Sequence, residues 1–182
     1  AVAHHLKAGL QKALPDAEIS VAPIADGGEG FVEAMVSGTH GYIKKIKVAD
    51  ALLRPVEAAI GFSPNGETAF IGMAEACGLE KLSPEERNPL LTTTFGVGEL
   101  IRYASGQGCK RIIMGIGGSA TNDGGAGMAQ ALGVKLLDKN GRELLPGGGN
   151  LGQLERIDNS KITQNLPEII VACDVTNPLL GP

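Results

Sequence analysis

The spacing of apolar positions changes period several times along the chain, and each change predicts an element. Ala1, His4, His5, Leu6 and the stretch from Leu10 to Leu14 fit an amphipathic helix that Pro15 stops. Glu18–Ala22 predicts a short strand, and residues 23–30 form a Pro- and Gly-punctuated loop. Phe31–Ser37 predicts a helix closed by Gly38. Tyr42–Val48 and Pro55–Phe62 alternate with period two, and the Ser63-Pro64-Asn65-Gly66 turn leads to Thr68–Met73, so the three strands predict a meander. Short helical pieces follow near Ala74–Cys77 and Pro84–Arg87. Gly98–Ser105 predicts a longer helix, with Thr92-Thr93-Thr94 as its capping residues. Arg111–Met114 reads as a buried strand, Met128–Gly133 as a helix, Val134–Leu137 as a strand, and Glu168–Cys173 as a final buried strand.

Strands alternating with helices predict an α/β fold with a mostly parallel sheet. The meander interrupts that rhythm and suggests a junction between two lobes. Residues 1–65 would belong to the first and residues 66–182 to the second.

Composition narrows the function. The 182 residues are 43% hydrophobic and 20% charged, with a net charge of −4. No basic stripe is present, and Trp is absent with only two Tyr, so neither an electrostatic nor a stacking surface for nucleic acid is apparent. No apolar run is long enough to span a bilayer. Three cysteines without a C-x-x-C pair read as free thiols of a reducing compartment, and the expectation is a soluble cytoplasmic protein. The 27 glycines cluster in loops, where the backbone can approach a ligand or another backbone closely.

The densest cluster is the run from Gly115 to Gly127, set between a strand and a helix. Unpaired N–H groups at a helix start attract anions, so phosphate or carboxylate binding is expected there. Two further loops put acids beside turn residues after strands. One is Asp26-Gly27-Gly28-Glu29-Gly30, the other Asp174-Val175-Thr176-Asn177-Pro178. Strand carboxyl ends face one crevice in an open parallel sheet. Converging there, these acids could hold Mg²⁺ or serve as a general base, the components of phosphoryl transfer. Each loop also has a plain turn reading. Two rival functions arise from the same residues. Gly115-x-Gly117-x-x-Ala120 matches a dinucleotide fingerprint, which would make the protein an NAD(P)-dependent oxidoreductase, although turn formers delay the helix. A non-catalytic anion-binding module is the other.

Four segments resemble the bacterial glycerate kinase family, in the same order from Ala1 to Pro182. They are residues 25–30, 88–94, 115–127 and 172–181. The resemblance implies ATP- and Mg²⁺-dependent phosphorylation of D-glycerate to phosphoglycerate by a two-lobed α/β enzyme, with a Rossmann-like, mostly parallel sheet in one lobe and a second α/β lobe flanking a cleft. It implies no nucleic acid or membrane partner and leaves room for a homo-oligomer. Carried onto this chain, it assigns Gly117, Gly118, Ser119 and Thr121 to the glycerate carboxylate or a phosphate. Asn122 and Asp123 would orient substrate or cap the helix. Asp174 would be the base on the hydroxyl or a Mg²⁺ ligand. Asp26 and Glu29 are further candidates for metal, with Asp26, Gly27, Gly28, Thr176 and Asn177 for substrate. Members of that family begin with a further strand and continue well past the Asp174 loop. The glycine loops carry no Lys or Arg, yet phosphoryl transfer needs cations on its developing charge. Residues 1–182 alone are therefore expected to have little activity, with a Lys supplied by the remainder of an intact enzyme.

Overall fold

The computed structural model describes residues 2–173 and 175–176. Its centre is a five-stranded mixed sheet in the order β1(Tyr42–Ala49), β2(Pro55–Phe62), β3(Thr68–Gly72), β4(Arg111–Gly115), β7(Glu168–Ala172). The first three strands form the expected antiparallel meander, while β3, β4 and β7 run parallel. The β2–β3 hairpin crosses residue 65, so the two expected lobes share this one sheet. A separate antiparallel pair is formed by β5(Lys135–Leu137) and β6(Arg156–Asp158).

Helices cover both faces, as a sheet with parallel crossovers requires. α4(Phe95–Gly106) buries Val97, Leu100, Ile101 and Ala104 against Ala58, Ile60, Phe62, Ala69, Ile71 and Ile112. On the opposite face, α2(Phe31–Thr39) sets Phe31 and Val32 against Ala59 and Ile113. β3 is buried along Ala69–Gly72 because both layers close over it. α3(Met73–Cys77) follows β3 directly, and α5(Ala126–Ala131) packs across α4. The crossing of α4 and α5 depends on small residues: a Cβ on Gly98 would lie 2.7 Å from the Ala131 Cβ, and one on Gly127 would strike the Thr93 hydroxyl.

Three expectations need correction. Glu18–Ala22 is irregular rather than a strand, because no described strand pairs with it; neighbouring Ile24 is 93% exposed. The strand near residue 170 lies at the sheet edge instead of in the core. It covers Glu168–Ala172, with Ile169, Ile170 and Val171 exposed. Thr94 stands at the N-cap of α4 without a side-chain cap bond, since its hydroxyl is engaged elsewhere. The N-terminal helix α1(Val2–Ala13) forms as expected but buries no residue.

Candidate functional site

The carboxyl ends of the three parallel strands lie level, with Gly72 beside Gly115 and Gly115 beside Ala172. Two of the three loops expected to converge meet here. The Gly117 N–H donates to the Gly27 carbonyl at 2.9 Å. A Cβ on Gly115 would be 2.8 Å from the Phe31 ring, and one on Gly117 would be 2.8 Å from the Gly28 Cα. Glycine is thus needed at this seam for backbone to approach backbone. The third loop begins beside them, as Ala172 ends β7, but Asp174 and Asn177 lie outside the described residues. Thr176 is exposed.

Beyond the seam the loop is held by short bonds. Leu79 N–H donates to the Gly118 carbonyl at 2.9 Å, Ala120 N–H to the Cys77 carbonyl at 2.8 Å, and the Thr92 hydroxyl to the Ala120 carbonyl at 2.8 Å. The Ser119 and Thr121 hydroxyls are 2.6 Å apart, and the Thr121 N–H donates to Ser119 Oγ. Cys77 Sγ lies 3.6 Å from Ser119 Oγ, and burial pushes the thiol pKa up. The amides of Gly118 and Ser119 make no hydrogen bond among the described residues. Gly118 opens onto a cavity of about 310 Å³ that Glu29, Glu80, Arg87, Ala74 and Leu79 also line. Asp26 is exposed beside it in the chain, with Oδ1 accepting the Gly28 N–H at 3.0 Å.

The start of α5 is different. Its amides are not bare, contrary to expectation. Gly125 N–H and Gly127 N–H donate to the Asp123 carboxylate at 3.1 and 3.0 Å, Ala126 N–H to the Asp123 carbonyl, and Met128 N–H to the Thr94 hydroxyl at 2.9 Å. Asp123 is 1% exposed and also accepts the Thr94 amide and the Thr93 and Thr94 hydroxyls. Of the two roles weighed for Asp123, its contacts are those of a helix cap. Asn122, next to it, is exposed on the loop.

Nor does a helix open within Gly115–Ala120. Those residues are bonded to the Cys77–Leu79 segment, and α5 begins only at Ala126. The dinucleotide fingerprint therefore lacks the helix start that gives it meaning. Arg87 brings to the cavity at Gly118 a cation that the glycine loops themselves do not carry. Its signal in the sequence was its place between the Pro84 turn and the Asn88–Thr94 segment. A capping box fixes that turn: the Ser83 amide donates to the Glu86 carboxylate, and Glu86 also receives Arg54 Nη1 at 2.6 Å. Among the described residues, no group of three or more His, Cys, Asp or Glu is placed to hold a metal.

Helices on both faces of a mixed sheet, with glycine loops and an arginine gathered where its parallel strands end, define an α/β protein with a cavity at its strand ends. The family is specific. The model of the Glycerate kinase family matches residues 1–182, and the chain belongs to that family. It is 52% identical to glycerate 2-kinase of Escherichia coli (strain K12) and 50% identical to glycerate kinase of Bacillus subtilis (strain 168), with 99% of this chain covered in each case. The crystal structure of a glycerate kinase 2 from Salmonella typhimurium LT2 superposes with a TM-score of 0.87 at 50% identity, over 97% of this chain. The chain spans about half the length of these relatives, 48% in each. Among the described residues no helix is long and apolar enough to cross a membrane.

Proposed function

We propose that the full-length polypeptide carrying these residues transfers the γ-phosphoryl group of ATP to the 2-hydroxyl of D-glycerate, in a reducing cytoplasm suited to its free thiols. The observation that carries this reading is the cavity at the strand ends, which Arg87 and the open Gly118 edge of the glycine loop line together with Glu29 and Glu80. The name of the Escherichia coli relative supports the choice of hydroxyl. Glycerate needs one cationic anchor for its carboxylate and hydrogen-bond donors for its oxygens. Arg87 supplies the first, and the Gly118 and Ser119 amides with the Ser119 and Thr121 hydroxyls supply the second. Gly27, Gly28 and Gly117 are packed on one another and hold the two loops together without donating to substrate.

Mg²⁺ suits this donor set, because it takes one or two carboxylates and completes its shell with water and phosphate oxygens. Glu29, exposed at the cavity, and the exposed Asp26 would hold it, and Asp174, Thr176 and Asn177, which follow β7 in sequence, are left for the substrate. When bound, the ion would neutralise charge between the phosphoryl groups. Asp174 takes the proton from the attacking hydroxyl as that oxygen bonds to the γ-phosphorus and the bond to ADP breaks. Asp123 acts at one remove, by fixing the loop.

The test is turnover by the full-length polypeptide with ATP, Mg²⁺ and D-glycerate, with the product located by ³¹P spectroscopy. Formation of 2-phosphoglycerate, absent with glycerol or lactate, is expected. NADH-dependent chemistry or no turnover would overturn the reading. In Asp174→Asn, kcat should fall with the glycerate KM unchanged; an altered Mg²⁺ dependence would instead make Asp174 a ligand.

A further inference from the structure

The glycine loop walls a second cavity that the phosphoryl-transfer reading leaves unused. It has a volume of about 500 Å³ and lies between α5, the β5–β6 pair and the turn at Gly148–Gln153. Ala126, Ala129, Leu136, Leu151, Leu154 and Ile162 make its walls, while the Gly124–Gly125 backbone and Asn159 stand at its rim. Glycerate, small and polar throughout, has nothing to gain from such walls. We infer that this cavity takes the purine ring of the nucleotide, an assignment that rests on the phosphoryl-transfer reading.

Four observations carry it. First, an apolar slot with few polar groups at its edge is the usual form of a site for a flat, mostly apolar ring. Second, Ala126 and Ala129 lie one turn apart on α5 and leave a shallow wall with no side chain to obstruct a plane. Third, Asn159 offers one acceptor and one donor on a single amide, the pair that matches the exocyclic amine and N7 edge of adenine. Fourth, one loop joins this cavity to the one that Arg87 lines. Gly118 lines the first and Gly124 the second, six residues apart, so the two lie within at most about 22 Å along the backbone. A nucleotide laid along that loop puts its base in the apolar cavity and its terminal phosphate beside Arg87. Asp123 touches the apolar cavity but does not repel the phosphates, because five donors from the protein already surround its carboxylate.

The experiment uses the full-length kinase with two variants. Ala129→Leu fills the slot with a good helix former, and Asn159→Leu removes the amide at an exposed position that folding does not require. Each should raise the ATP KM about tenfold while leaving the glycerate KM and kcat near wild type. Photolabelling of the wild type with 8-azido-ATP should mark peptides within residues 124–162. An unchanged ATP KM in Asn159→Leu, or labelling confined to other peptides, overturns the assignment, whatever the fate of Ala129→Leu. Turnover of glycerate with an unchanged ATP KM sinks the cavity assignment alone. Labelling of residues 124–162 without glycerate turnover supports the cavity and sinks the glycerate reading.

Discussion

Thr94 and Asp123 meet through both backbone and side chain: the Thr94 amide donates to Asp123 Oδ2 at 2.9 Å, and the Thr94 hydroxyl sits 3.0 Å from the same oxygen. That hydroxyl also accepts the Met128 amide. One pair of side chains therefore ties the start of α4 to the start of α5. Asp123→Asn places an NH₂ group among donors and leaves buried amides unpaired. Hydrogen bonds to a charged group contribute about 1.5–3 kcal/mol, so a loss of roughly 3 kcal/mol is expected. Thr94→Val should cost less, about 1–2 kcal/mol. Urea unfolding midpoints measure both. A wild-type midpoint in Asp123→Asn would return Asp123 to direct substrate contact.

Arg87 should behave as a substrate anchor. Arg87→Met keeps the length of the side chain and removes its charge. In the full-length kinase the glycerate KM should rise at least tenfold, which is about 1.4 kcal/mol of binding. The ATP KM and the unfolding midpoint should stay near wild type, since Arg87 is exposed. An unchanged glycerate KM would remove it from the site.

The three thiols should separate by reactivity. Cys77 and Cys109 are buried, and burial raises both pKa values, so little thiolate exists at neutral pH. Cys173 is exposed. In this chain at pH 7.5, a thiol reagent should modify Cys173 rapidly and the other two only on unfolding. Rapid modification of Cys77 in the folded protein would contradict the packing under Ser119.

Acid should weaken the fold through surface carboxylates. The Arg142 and Asn140 amides hold Asp138 below the usual carboxylate range, and the Ser83 amide with Arg54 does the same for Glu86. A carboxylate with a lowered folded-state pKa stabilises the fold fully above its unfolded value. That contribution disappears as pH falls through the folded value. Unfolding midpoints should be flat from pH 7 to about 5 and drop below about pH 4. Asp138→Asn keeps the turn acceptor and cannot ionise, so its drop should be shallower. An identical pH profile would exclude Asp138 from the effect.

The α/β class, the meander and the positions of the main helices were legible because period-two and period-3.6 patterns report burial directly. What failed in the sequence reading failed for want of partners. Glu18–Ala22 has the composition of a strand and no neighbour to pair with, and Ile169–Val171 looks like core but stands at an edge. At the site, the Asp26 and Gly117 loops meet although the strand expected before Asp26 does not form, because the Gly117 N–H to Gly27 carbonyl bond and the glycines around it join them. The burial of Asp123 was not legible, because a carboxylate among glycines reads as ligand contact until the amides that surround it are located. Arg87 was invisible for a related reason: it is distant in sequence from Gly118, with which it lines a cavity.

The Gly27–Gly117 hydrogen bond, with the glycines packed around it, has a mechanical outcome. Neither loop can shift without dragging its counterpart, so Asp26 and Glu29 on one side and the Gly118 and Ser119 amides on the other respond as one piece, while the Arg87 turn lies outside the welded centre.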